Sequence, residues 1–274
     1  MEHTFHQNTA DGVAIYFKEW AVEHPKGVIA IVHGFSDHIN RFDHVAAYFN
    51  QQGYSVLGPD LRGHGHSSGK RGHSPYRALL NQELTLLSAT LEEKYPSLPH
   101  FLYGQSMGGA LVLAHGLETK HPYAGIIASS PWIKLAFPAP AIKLLVARIL
   151  RPVYASLTLP AELDSRHLSR NPEVGLVYDK DPLVHGMISV ETGLAMLELG
   201  EQLLAQNQAY PLPLLIMHGS GDQITSATAS SQFFEQTKGN SSYKVWPEAY
   251  HELHNETNAD EVLAFVLSWI QVGR

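Results

Sequence analysis

Apolar and polar positions follow two different rhythms along this chain. Residues 13–20 alternate with a period of two, which predicts a half-buried antiparallel strand. Val28-Ile29-Ala30-Ile31-Val32 is apolar without interruption, the pattern of a strand covered on both faces. A mostly parallel sheet from the third strand onward is therefore expected. Next come a helix over 41–52 ended by Gly53, a strand over 54–58, and a glycine-rich loop from Asp60 to Ser67. A helix over 78–95 stops before Pro96, a strand over 100–103 feeds a helix over 107–120, and 124–129 reads as another short strand. Strand and helix in alternation predict an α/β sheet with right-handed crossovers.

The alternation then breaks. From 131 to about 208 the chain carries proline-punctuated helical stretches with no apolar strand, and the earlier rhythm resumes only at Leu214-Leu215-Ile216-Met217. A helix over 227–236, a strand over 243–246 and a helix over 260–271 close the chain. The division that follows is a core of residues 1–130 and 209–274, with a helical cap inserted over 131–208.

Composition narrows the chemistry. At 274 residues and 44% hydrophobic content the chain can bury one large core. A formal charge of -7 without a long basic run argues against nucleic acid as a partner. The absence of cysteine excludes disulfides and a thiol nucleophile, and it fits a reducing, cytoplasmic setting. Residues 1–6 carry neither a basic n-region nor an apolar h-region, so no secretory signal is expected, and no apolar stretch is long enough to span a bilayer. The 17 histidines show no spacing backed by carboxylates, so neither a metal nor a cofactor is expected.

Gly104-Gln105-Ser106-Met107-Gly108 has the G-x-S-x-G form of a nucleophile elbow, set between a strand and a helix. A serine hydroxyl is a weak nucleophile at neutral pH. It needs an imidazole to take its proton and a carboxylate to orient that imidazole. Asp222 follows the strand at 214–217 and His251 follows the strand at 243–246, so Ser106, Asp222 and His251 all fall beyond the carboxyl ends of strands, where open α/β sheets bind ligands. The order Ser, Asp, His is that of α/β-hydrolases. An oxyanion formed on attack needs N–H donors, and the candidates are Met107, next to the nucleophile, and Phe35, in the loop after Val32. A serine at the elbow disfavours haloalkane dehalogenases and epoxide hydrolases, which place an aspartate there.

Taken in order, His33-Gly34-Phe35-Ser36-Asp37-His38 with Arg41, Gly63-His64-Gly65, Gly104 to Gly109, Leu168-Ser169-Arg170-Asn171, Asp181-Pro182-Leu183, His218 to Asp222 and Ala249 to His254 resemble the motifs of the monoglyceride lipase family of serine hydrolases. The resemblance implies an α/β-hydrolase fold, with a mostly parallel eight-stranded sheet, flanking helices and a helical cap. It also implies cofactor-free hydrolysis of a monoacylglycerol, or another small acyl ester, to a fatty acid and an alcohol. General carboxylesterase or lysophospholipase activity is the nearest alternative, and a silent binding module the alternative of another class. By the same resemblance Asp37, Arg41, Tyr178 and His254 contribute to a glycerol-binding end. The sequence has Asp37 where mammalian members have glutamate; a local loop ion pair with Arg41 is the competing reading.

In the insertion, residues 139–150 read as an amphipathic helix. Lys143, Arg148 and Arg151 lie within about 140° on a helical wheel, and Ile142, Leu145, Val146, Ile149 and Leu150 supply the rest of its surface. Two readings stand: a helix that makes transient contact with a membrane surface, leaving the protein peripheral to membranes, or one whose apolar side packs on the body.

Overall fold

A computed structural model describes residues 1–161, 163–237 and 239–272. Its central sheet has eight strands in the order β1-β2-β4-β3-β5-β6-β9-β10. These are β1 (Glu2–Asn8), β2 (Ala14–Trp20), β3 (Val28–Val32), β4 (Ser55–Pro59), β5 (His100–Gln105), β6 (Gly125–Ser129), β9 (Leu214–Gly219) and β10 (Ser241–Trp246). Only β1 with β2 and β2 with β4 pair antiparallel. Every other pairing within this sheet is parallel. The unbroken apolar run of β3 has its physical reason in two cores. Val28, Ala30 and Val32 enter one cluster and Ile29 and Ile31 the other, so each face of the strand is covered.

One core includes residues of α4 (Met107–Glu118), α7 (Val190–Leu204) and α8 (Ala227–Gln236), together with the stretch holding α2 (Tyr76–Ala78) and α3 (Thr85–Lys94). The other includes residues of α1 (Asp43–Gln51) and α9 (Ala259–Val272). Where one continuous helix was expected over 78–95, a π-helical turn, Leu79–Leu84, separates α2 from α3. That wider turn holds the buried Glu83, which pairs with Arg62 from the loop after β4. A long-range pairing of this kind leaves no trace in local periodicity.

Between β6 and β9 lie α5 (Ala141–Tyr154), β7 (Thr158–Pro160), a 3-10 turn (Ser165–His167), α6 (Pro172–Lys180), β8 (Met187–Ser189) and α7. The expectation of no strand here is corrected, because β7 and β8 pair antiparallel. Each is three residues long, too short to show alternation. α7 lies on the body, with Ala195, Met196, Leu199 and Leu203 in the same core as Leu111 and Leu113 of α4. No helix among the described residues is long and apolar enough to cross a membrane.

Candidate active site

The strand β5 ends in a turn that Ser106 makes with φ 55° and ψ -115°. A Cβ on Gly108 would collide with the Val32 carbonyl, and one on Gly104 with the Gly108 carbonyl, so only glycine allows this close passage. Hydrogen bonds hold the strained residue on both sides: Ser106 N–H donates to Ser129 O at 3.0 Å, and Ser106 O accepts from Trp132 N–H at 2.9 Å. Ser36, Ser130 and Glu248 share the left-handed backbone region and follow β3, β6 and β10. Of the five non-glycine residues described with positive φ, four thus border the carboxyl edge of the sheet.

Asp222 and His251 meet at that edge, with His251 Nδ1 2.7 Å from Asp222 Oδ2. The acid is gripped by more than the base. Asp222 Oδ1 accepts from the N–H groups of Ile224 and Thr225 at 2.8 and 3.0 Å, while Oδ2 accepts from Thr225 Oγ1 at 2.8 Å and lies 3.1 Å from His218 Nε2. Burial pushes the Asp222 carboxyl up, but His251 and His218 outweigh it and hold the group well below the usual carboxylate range. Burial lowers His251, yet the charge and hydrogen bond of Asp222 more than compensate and raise it above an ordinary imidazole. His218 and Thr225 were not picked out by sequence reasoning, although His218 lies in the same short motif as Asp222.

The oxyanion candidates are Met107, next to Ser106 in the chain, and Phe35, in the loop after β3. A Cβ on Gly34 would come within 3.2 Å of Ser106 Cβ, so the loop after β3 passes against the nucleophile. Among the described residues the N–H groups of Phe35 and Met107 have no hydrogen-bond partner. His33 fixes the loop. Its Nε2 accepts from Leu61 N–H at 2.9 Å, so the ring proton sits on Nδ1 and donates to Gly34 O at 2.7 Å. Gly34 O and Phe35 N–H belong to one trans peptide, so that grip also sets the direction of the N–H.

Of the four residues expected at a glycerol end, the structure brings Asp37 and Tyr178 to the wall of the cavity beside Ser106. Arg41 and His254 are not on that wall. Arg41 stands behind it, 3.0 Å from Asp37 Oδ1 and bidentate to Glu252 at 2.8 and 2.7 Å, with the Tyr178 ring 4.9 Å from its guanidinium. The ion-pair reading of Asp37 and Arg41 is thus present in the geometry. His254 is fully buried and stacks on Phe42 at 4.6 Å; burial pulls it down to about 3, so it is neutral. Glu252, next to His251, is a further residue that sequence reasoning missed. Burial raises it, but Arg41 draws its carboxyl down to about 2, whereas burial dominates at Asp37 and raises that group. Asp37 Oδ2 is buried without a partner.

The cavity has a volume of about 870 Å³ and runs from Ser106 and His251 to apolar walls that include Ile142, Leu150, Leu159 and Leu197. Its lining joins the Asp37 carboxylate, the Tyr178 phenol and the His251 imidazole to a mostly apolar wall.

Comparison with known proteins gives concordant results. The model of the serine aminopeptidase S33 family matches residues 23–258. The chain is 35% identical over 267 residues, 96% of its length, to an uncharacterized abhydrolase domain-containing protein of Dictyostelium discoideum, of which it spans only 28%. It is 32% identical over 273 residues to a monoacylglycerol lipase of Mycolicibacterium smegmatis, covering 98% of this chain and 96% of the relative. The crystal structure of a monoacylglycerol lipase from Paleococcus ferrophilus superposes with a TM-score of 0.86 at 28% identity, over 95% of this chain and 99% of that one.

Proposed function

Since the chain belongs to the serine aminopeptidase S33 family, we propose that it is a serine ester hydrolase that cleaves monoacylglycerols to fatty acid and glycerol. The observation that carries this reading is one cavity in which a strained serine and a carboxylate-held imidazole open onto a long apolar chamber. The kinship with monoacylglycerol lipases along almost the full length supports the substrate class.

In this reading Ser106 Oγ attacks the ester carbonyl while His251 Nε2 takes its proton, and Asp222 stabilises the imidazolium. The N–H groups of Phe35 and Met107 receive the oxyanion, a contribution of about 3 to 4 kcal/mol per well-aimed donor. The C–O bond breaks, the glycerol oxygen takes the proton from His251, and the acyl group stays on Ser106. Water, deprotonated by His251, then attacks the acyl-enzyme and releases the fatty acid. The unpartnered Asp37 Oδ2 and the Tyr178 phenol support a role in receiving glycerol hydroxyls, with Arg41 and Glu252 as their frame.

Residues 131–208 form the cap in this proposal, and α5 is its lipid-facing part. α5 has no buried residue, and Ile142, Leu145, Ile149 and Val153 form an exposed stripe at helical spacing. These features support transient contact with a membrane surface by a cytoplasmic, peripheral protein. Arg151 does not belong to the membrane-facing set, because it turns inward to Glu191 and Glu198 of α7.

A hydrolysis panel of monoacylglycerols, diacylglycerols, lysophospholipids and p-nitrophenyl esters tests the substrate, with preference for monoacylglycerols expected. Preference for another class would sink that assignment. Ser106→Ala is expected to lower turnover by about four to six orders of magnitude while the protein stays folded, and to abolish labelling by a fluorophosphonate. Retained labelling would overturn the serine mechanism.

A further inference from the structure

The two insertion stretches Leu168-Ser169-Arg170-Asn171 and Asp181-Pro182-Leu183 have no part in the chemistry described so far. In the structure they are the ends of one segment, residues 168–181, that touches both catalytic loops. At the base, Leu168 O accepts from Glu252 N–H at 2.7 Å, directly after His251. Directly before His251, Tyr250 N–H donates to Glu256 Oε1 at 2.7 Å, and the same carboxylate is held through Oε2 by Arg170 Nε at 2.9 Å. Ser169 Oγ donates to Asn255 O at 2.9 Å in the same loop. Both backbone neighbours of the base are therefore anchored by this segment, one directly and one through Glu256.

The other end of the segment reaches the oxyanion loop. Asp181 Oδ2 lies 3.0 Å from His38 Nε2, and Tyr178 Oη–H donates to Ser36 O at 3.4 Å. Ser36 is one of the left-handed residues and directly follows Phe35. The Glu256 carboxylate and the His38 ring that receive the segment are almost fully buried, while Arg170 and Asp181 are partly exposed, so each contact is shielded on the side of the loop it anchors.

We propose that residues 168–181 are a strap that sets the distance between the base and the oxyanion donors, with Arg170 and Asp181 as positioning residues. The segment is a fixed part of the catalytic frame although it is encoded within the insertion. This positioning role does not depend on contact with the substrate, although Leu168 and Tyr178 of the segment also line the cavity. Its effect on rate arises because an error of about 1 Å in the placement of reacting groups can cost about a hundredfold.

This inference rests on the serine-hydrolase reading, and the test separates the two. Turnover of p-nitrophenyl butyrate, which has no glycerol, is measured for Arg170→Ala, Arg170→Lys and Asp181→Ala at a temperature where circular dichroism shows each folded. Arg170→Ala and Asp181→Ala are expected to lower kcat about tenfold with KM within about twofold, and Arg170→Lys to recover most of the loss, as for interactions that act on the transition state. If both alanine variants keep kcat within about twofold of wild type, or change KM alone, the strap has no positioning role. If Arg170→Ala does not fold, Asp181→Ala decides by the same criteria. Failure of the serine reading shows differently, as turnover that survives Ser106→Ala.

Discussion

Residues 131–208, proposed as the cap, contain two regions of opposite character. In α5 Ile142 is 78% and Ile149 68% exposed, and the helix is fastened to α7 by the partly exposed Arg151. In residues 168–181 Leu168 and Ser169 are 2% and 4% exposed and bond the loop that carries His251, while Tyr178 and Asp181 bond the loop that carries Phe35. The difference teaches that an insertion is not one mechanical unit. One part offers apolar surface outward; the other is hydrogen-bonded to the loops on either side of Ser106.

The sharpest way to break this contrast is at the root of the held region. Arg41→Ala leaves Glu252 and Asp37 as buried carboxylates without their cation, and loss of one partner of a buried pair costs about 3 to 5 kcal/mol. Urea denaturation should show that loss, and an effect below about 1 kcal/mol would place Arg41 among weak surface pairs. On the outward-facing side, Leu145→Asp should lower co-sedimentation with lipid vesicles by about tenfold without shifting the unfolding midpoint. Equal binding by both proteins would remove the membrane contact. The smallest signal is in the pH profile. Because Asp222 raises His251, the acid limb of kcat/KM should lie above the value of a free imidazole, about 6.5, and activity should be lost as pH falls through it. An acid limb at or below that value would show that burial dominates at His251.

Much of the fold was legible because inner strands such as β3, β6 and β9 are buried along their whole length, and α8 and α9 begin and end close to where the periodicity places them. Ser106, Asp222 and His251 were nominated from their positions after strands, and the structure puts Asp222 beside His251 and lines one cavity with His251 and Ser106. β1 escaped because its residues are mostly exposed, and β7 and β8 because three residues carry no period. Glu252, His218 and Thr225 escaped for another reason: their roles exist only through partners distant in sequence or through a turn geometry that residue type does not specify. Arg41 and His254 were recognised by motif, but a motif does not say whether a side chain faces the cavity or stands one layer behind it.

The left-handed backbone at Ser36, Ser130 and Glu248 bears on how this protein would respond to selection for heat resistance. Glycine accepts such angles without steric cost, so each position offers a gain in stability through relief of strain. All three positions border the edge at which ester chemistry is proposed, where relief would also loosen the frame. Thermal robustness and turnover are therefore set in opposition at these sites, and a search for a hardier variant would do better to begin on the far side of the sheet.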